Sequence, residues 1–448
     1  MFTSTRRSTA ENRTVLRRVV AASGVGTLIE YFDYASYSYL ATTMAVVFFP
    51  AEDRSVALLS TFAVFALSFL VRPFGALLWG SLGDRLGRKR ILATTILLMS
   101  GSTFAIGLIP GYASIGVAAP ALLLLLRIVQ SFSASGEYAG AGIFIAEYAP
   151  DKKRGLLTGM VPMSSAAGFL LASTMTTTLY TVLPPEAMES WGWRIPFLVA
   201  GPLGLVGLYL RFRLEDTPQY RKIVEQEQNT RPATRRSPLL ANLPGMGKLL
   251  LVMALNAGGY YLLLGYVPTY LIEQVGLSQA DSNLVVTISL IAYIAIVPIT
   301  ASLSDRVGRK RTLIAACVLL IALSYPLMVV LSAGGMLLAT VVLVLLLAMF
   351  SLNDAVFPAF FAETFATRSR YLGFALPFNV GAVLFGGVAP YVATWLIART
   401  GNPHSPAFFL IGVAVLSLIG VALAKETARK PLPDTAPHGP ESSNPPRR

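Results

Sequence analysis

Residues 72–90 read RPFGALLWGSLGDRLGRKR, and this stretch decides how the chain folds. It opens inside an apolar run, passes along a small-residue helix face and closes in a tight turn crowded with charge. A second copy of the charged end, SLSDRVGRKR at 302–311, stands against SLGDRLGRKR at 81–90. Two near-identical charged turns, each between long apolar segments, mark a duplicated membrane bundle. The duplication runs deeper. AEYAPDKKRG closes the fourth apolar segment and AETFATRSR the tenth, and in both a Glu precedes an Arg by seven residues: Glu147 to Arg154, and Glu363 to Arg370.

Composition points the same way. The chain is 54% hydrophobic and 13% charged, whereas soluble proteins carry about 25% charged residues. The formal net charge of +13 could suggest nucleic acid. Its bases, however, fall in short clusters between apolar runs, the pattern of cytoplasmic loops facing anionic lipid, so nucleic acid is excluded as a partner. Apolar periodicity predicts helices near 18–48, 56–82, 90–110, 116–147, 155–183 and 193–213, then near 247–272, 283–304, 311–332, 336–362, 370–399 and 406–424. Each is long enough for a ~30 Å hydrocarbon core, which takes about 20 residues.

The expected fold is therefore an all-α polytopic membrane protein, with twelve transmembrane helices in two pseudo-symmetric six-helix bundles. Residues 1–18 form a cytoplasmic N-terminal segment, 19–213 the first bundle and 214–246 a basic cytoplasmic loop. Residues 247–424 form the second bundle and 425–448 a Pro/Ser-rich, disordered cytoplasmic tail. Basic clusters at 85–90, 152–154, 211–236, 306–311 and 368–370 share one side with both termini. The opposite loops hold almost no base except Arg54 and Arg399, so both ends are cytoplasmic. The first apolar run is too long for a cleavable signal peptide and lacks a cleavage site.

Absences narrow the function. The lone Cys317 excludes a disulfide framework and a Cys-based metal site, and His404 and His438 fall in a polar loop and the tail. No Walker-type glycine loop binds ATP, and no His, Cys or Ser nucleophile arrangement lies within a helix, so neither a cofactor, a metal nor an enzyme is expected. Any moving proton must ride on carboxylates inside the membrane.

On these motifs the chain resembles the major facilitator superfamily, whose signature loop between helices two and three looks like GSLGDRLGRKR, with its second-half counterpart at SLSDRVGRKR. The resemblance implies two inner-face gating clusters: Asp84, Arg88, Glu147 and Arg154 in one half, Asp305, Arg309, Glu363 and Arg370 in the other. GTLIEYFDYASYSYLA, LVRPFGALLWG, RIVQSFSASGEYAGAGIFIAEYAP and WGWRIPF look more narrowly like the metabolite:proton symporter branch, with its bacterial carriers for α-ketoglutarate, citrate, shikimate, and proline or betaine. The resembling α-ketoglutarate carriers implicate the Arg of the RP motif, here Arg72, in holding a substrate carboxylate. Osmosensing members of the branch often end in a coiled coil, and the tail here has no heptads.

Charges at lipid depth are costly unless they face a cavity or a partner, so they come first as site candidates. Glu30 lies about 12 residues past Arg18, mid-membrane at ~1.5 Å per residue. Asp33 shares its face at i+3, with Tyr34 and Tyr37 alongside. Close carboxylates resist joint ionisation, so Glu30 and Asp33, with Glu137 deeper in the fourth segment, are the expected proton-coupling groups. Arg72, Arg127, Gln130, Tyr34, Tyr37, Arg194, Tyr266 and Asn353 are the substrate-binding candidates. Arg127 either pairs with Glu30 or Asp33 or holds a substrate carboxylate, and Arg194 either snorkels beside Trp191 and Trp193 or joins the site. Asp354 needs a partner or a cavity that no motif supplies.

The expected function is secondary active transport: proton-coupled uptake of a small organic acid or other carboxylate-bearing metabolite by alternating access. An exporter in the same fold and a symporter of a zwitterion such as proline or betaine are the alternatives. The expected partners are the small-molecule substrate, protons and the lipid bilayer. The protein is expected as a monomer in a bacterial inner membrane.

Overall fold

A computed structural model describes residues 2–86, 88–212 and 238–433. The expected central loop lies mainly outside these residues, as does the tail beyond 433. The helices are α1 (Phe2–Tyr39, continued by Ala41–Phe48), α2 (Arg54–Phe69, continued by Arg72–Leu86) and α3 (Arg88–Ile106). Then come α4 (Ala118–Ala134, continued by Glu137–Tyr148), α5 (Arg154–Thr158, continued by Met160–Val182) and α6 (Arg194–Phe212). The second half holds α7 (Pro238–Tyr260, the π turn Tyr261–Tyr266, then Val267–Glu273), α8 (Gln279–Val307), α9 (Arg309–Ser332) and α10 (Met336–Asp354, continued by Phe357–Thr364). It closes with α11 (Thr367–Gly381, the π turn Ala382–Gly387, then Ala389–Thr400) and α12 (Pro406–Leu423).

Length and apolarity alone mark nine of the described helices as membrane-crossing, or ten with the bent pair ending in α6. The two remaining helices of the expected twelve are α1 and α3. Glu30, Asp33 and a run of Tyr and Ser lower the hydropathy of α1, while α3 passes only as the shorter apolar helix Ala93–Ile106. The outer surface is strongly apolar, with Leu337 80%, Val117 72%, Phe74 68% and Ile299 68% exposed. Large apolar side chains facing outward suit a lipid solvent.

The two halves meet chiefly where α5 packs on α8 and α2 on α11. Close approach needs small residues. At Gly155, an added Cβ would lie 2.9 Å from Asp305 Oδ1 and 2.9 Å from Ser304 Oγ, both on α8.

The breaks have sequence causes. Proline lacks an N–H and its ring crowds the carbonyl four residues back. Pro73 sits just past the break in α2, and Pro358 just past the break in α10, four residues after Asp354. Pro268 strips Leu264 of its helical donor, and the Tyr39 hydroxyl donates to that carbonyl at 2.9 Å across the two halves. Broken helices at mid-depth expose carbonyls, which only a protein-lined or wet interior tolerates.

Candidate functional site

Helix α1 carries the polar face on which the centre is built. Arg72, 1% exposed, opens the second half of α2 and spreads its guanidinium over three partners. Nη2 pairs with Glu30 Oε1 at 3.2 Å, Nη1 donates to Tyr34 Oη at 3.2 Å, and Nε donates to Asn379 Oδ1 at 3.0 Å. The plane also lies 5.0 Å from the Phe69 ring centre. Asn379 belongs to α11, and its Nδ2 donates to Ser135 O at 2.7 Å, in the break of α4. One arginine thus ties α1 and α2 of the first half to α11 of the second.

Arg127 heads a second chain beside it. Nη1 donates to Gln130 Oε1 at 2.7 Å, Gln130 Nε2 to Thr103 Oγ1 at 2.8 Å, and Thr103 Oγ1 to Asp33 Oδ2 at 2.8 Å. The guanidinium lies 4.3 Å over the Tyr37 ring, and Tyr37 donates to Thr61 O at 2.8 Å. Of the two pairings expected for Arg127, neither forms as a direct ion pair among the described residues. Its Nε and Nη2, like Glu30 Oε2 and Asp33 Oδ1, are buried without a hydrogen-bond partner. Glu30 and Asp33, three residues apart, therefore belong to two networks rather than to one shared pair.

Two expected binding residues lie elsewhere. Arg194 donates to Gly107 O and Ile109 O at 2.9 and 2.7 Å, with its guanidinium 4.5 Å over Trp193. It ties down the turn that follows α3, whose carbonyls have no intrahelical donors. Tyr266 packs its ring 5.7 Å from Phe62 and does not line the central chamber. Tyr260 and Tyr261, where the π turn begins, stand in the wall instead. That chamber is about 10 Å³, no larger than one water needs. Asn353 lies just behind it and accepts from Asn256 Nδ2 at 3.3 Å. Glu137 is buried at the start of the second part of α4.

Ion pairs join the two halves on both faces. On the face bearing the repeated charged turns, Arg370 pairs with Glu147 at 2.8 Å and Arg154 with Glu363 at 3.2 Å. Both pairs cross between the halves. Arg309 binds Asp305 at 2.8 Å and Glu363 at 3.1 Å, while Asp305 accepts the Gly155 and Leu156 N–H groups, each at 2.9 Å. Arg154 also pairs with Asp151. The side chains of Asp84 and Arg88 lie outside the described residues. On the opposite face Arg54 and Glu273, at 2.7 Å, join the halves through a largely exposed pair, worth only about 0–1 kcal/mol.

A strap crosses the charged face. Residues 425–433, expected within a disordered tail, lie across the charged face. Thr427 Oγ1 donates to Glu363 Oε2 at 2.7 Å, Arg429 Nε to Asp305 O at 2.7 Å, and Arg154 Nη1 to Lys430 O at 3.1 Å. Glu426 accepts the N–H groups of Arg309 and Lys310 at 2.9 and 3.1 Å. It lies against Gly308, whose φ of +113° and crowding by Glu426 Oε2 at 2.6 Å leave no place for a side chain. Burial pushes the Glu426 carboxyl up, but the N–H groups of Ala428, Arg309, Lys310 and Thr427 outweigh it, and its pKa falls below the usual value. A lowered folded pKa means that the anchor is intact above the ordinary carboxylate range and is lost as pH falls through the lowered value. Glu426→Gln is expected to raise hydrogen exchange of residues 425–433 at neutral pH about tenfold or more without changing membrane abundance. Unchanged exchange would show that the strap holds without this carboxylate.

Comparison with known proteins places this geometry. The Major Facilitator Superfamily profile matches residues 31–375 and 249–446. A glycine betaine/proline/ectoine/pipecolic acid transporter of Dickeya dadantii is 39% identical over 94% of this chain and 86% of its own length. Proline/betaine transporters of Salmonella typhimurium and Escherichia coli K12 are each 38% identical, with the same shares covered. Among solved structures, the proton:xylose symporter XylE bound to 6-bromo-6-deoxy-D-glucose superposes with a TM-score of 0.77 at 17% identity. The match covers 94% of this chain and 98% of that one, and at such identity it speaks for the fold alone.

Proposed function

The chain belongs to the major facilitator superfamily and is a multi-pass membrane transporter, and on that premise we propose that it is a proton-coupled symporter of a small zwitterion of the betaine or proline kind. It works in a bacterial inner membrane with its charged-turn face and both termini in the cytoplasm. The organic acid expected first gives way to the zwitterion because relatives spanning 94% of the chain carry proline and betaine in their names.

The observation that carries the mechanism is the buried Arg72–Glu30 pair at 3.2 Å, held between the two halves. Glu30 presents to Arg72 the same group that a zwitterion presents with its carboxylate. A proton on Glu30 cancels that charge and frees the guanidinium fork for the incoming carboxylate, a bidentate geometry that arginine suits. Loss of the proton on the other side returns Glu30 to Arg72 and expels the substrate. Arg127, fixed by Gln130 and stacked on Tyr37, keeps positive potential next to Asp33 and tunes when that second acid holds a proton. Both acids and Glu137 line the proposed proton route. The cross-half pairs at the charged face open and close as the halves rock.

Proteoliposomes with an inward proton gradient test this. Labelled glycine betaine and proline are expected to accumulate, and an uncoupler to collapse the accumulation. Movement only outward with proton entry would make the protein an exporter, and no movement of either compound would sink the zwitterion reading. Glu30→Gln, neutral at every pH, is expected to keep substrate exchange yet lose at least about tenfold in gradient-driven accumulation, measured in the same vesicles. Accumulation at the wild-type level would free Glu30 of the coupling role.

A further inference from the structure

Asp354 takes no part in the Arg72 and Arg127 networks or in the pairs at the charged face. It is 1% exposed at the end of the first part of α10. Its carboxylate accepts from Asn256 Nδ2 at 2.9 Å and from Tyr293 Oη at 2.5 Å, both neutral donors. Among the described residues no basic nitrogen lies within 4.0 Å of it. Glu30, Asp305 and Glu363, by contrast, each hold an arginine, and Asp33 lies in the field of Arg127. Pro358, four residues on, cannot donate to the Asp354 carbonyl, which adds negative potential at the same spot. A carboxylate at lipid depth without a cation is a functional-site hypothesis whose partner has to be named.

The surroundings say which partner fits. Asp354 lines the central chamber with Tyr31, Tyr138, Tyr260, Tyr261 and Phe378, and no Lys or Arg is in that wall. The ring centres are close: Tyr31 to Tyr260 5.3 Å, Tyr31 to Tyr138 5.9 Å, Tyr260 to Tyr261 5.7 Å and Tyr138 to Phe378 4.7 Å. Aromatic faces carry negative potential and attract alkylammonium groups that are weakly hydrated. Tyr34, which accepts from Arg72, touches this wall at 5.9 Å from Tyr31 and 6.2 Å from Tyr261. The buried arginine and the aromatic wall are thus neighbours, linked through the Tyr34 ring.

We propose that Asp354 and the tyrosines Tyr31, Tyr138, Tyr260 and Tyr261 form the subsite for the cationic end of the substrate, a quaternary or secondary alkylammonium. The proposal rests on the zwitterion reading above and assigns its second charge. Tyr31 and Tyr138 come from the first half, and Tyr260, Tyr261 and Asp354 from the second. A cation in the chamber therefore draws the halves together, and an anion alone does not.

The test uses the purified full chain in nanodiscs and two ligands of one shape. Glycine betaine carries the quaternary nitrogen, and 3,3-dimethylbutanoate replaces it with carbon. The wild type is expected to bind betaine at least about thirtyfold more tightly than the isostere. Asp354→Asn is expected to lose at least about thirtyfold in betaine affinity while the isostere changes less than about threefold, since desolvated charge contacts are worth a factor of this order. An equal loss for both ligands, or no loss for betaine, overturns the subsite. A wild type that binds the isostere as tightly as betaine also overturns it and leaves a carboxylate carrier. A wild type that binds neither removes the zwitterion reading and the subsite together. Should Asp354→Asn not reach the membrane folded, Tyr138→Leu is read on the same pair. A selective loss of about tenfold for betaine supports the subsite, and no selective loss overturns it.

Discussion

Uptake by an Arg72→Ala protein is expected to fall at least about a hundredfold, at near-normal membrane abundance. The variant removes the ion pair with Glu30 and the donors to Tyr34 and Asn379 in one step. Truncating one member of a buried pair costs about 3–5 kcal/mol when the other stays charged. Glu30 can relieve that cost only by holding its proton permanently, which would end coupling as well as binding. Arg72→Lys should fail almost as badly, because one ammonium cannot meet three partners set around a planar fork. Uptake of labelled betaine, normalised to protein in the membrane, decides the matter. A rate within threefold of wild type would remove Arg72 from the mechanism.

The second large effect is expected at the charged face. Glu363 accepts from Arg154 at 3.2 Å, from Arg309 at 3.1 Å and from Thr427 at 2.7 Å, so it joins both halves and the strap. Glu363→Gln takes one of two carboxylates from each of two buried guanidinium groups, leaving Arg154 with Asp151 and Arg309 with Asp305. A loss of about 3 kcal/mol from the closed gate shifts its balance with the open form by roughly a hundredfold. The readout is thiol labelling at Thr158→Cys, a buried and nearly isosteric position near the start of α5. Cys317, the one native cysteine, is buried and contributes little background. Labelling is expected to rise at least about tenfold in Glu363→Gln while net accumulation falls by a similar factor. Labelling unchanged by the substitution would mean that Glu363 does not hold the gate.

Much of this was legible in the residues. The repeated turns at 81–90 and 302–311 implied two bundles, because a charged turn between apolar runs has only one place in a bilayer. Glu30, Asp33, Arg72 and Arg127 stood out because burying charge in lipid is costly, and all four are buried at the centre. Arg194 stands open in sequence between the tryptophans and the site, because a lone arginine beside two tryptophans reads the same either way, and it lies over Trp193. Tyr266 packs on Phe62 instead of entering the site, because tyrosines of one helix look alike in sequence whether they face a chamber or a neighbouring helix.

What the residues by themselves determined is the count and length of the apolar helices, their duplication, and which charges must be sheltered. Each of these follows from local composition and the cost of polar groups in hydrocarbon. The tertiary structure alone decided who pairs with whom. Arg154 meets Glu363 and Arg370 meets Glu147 across the halves, Arg72 reaches Asn379 307 residues away, and Asp354 meets Asn256 and Tyr293 and, among the described residues, no cation. A side chain reaches only a few ångströms, and which partners fall within that reach is set by how the twelve helices pack, an arrangement no local pattern encodes.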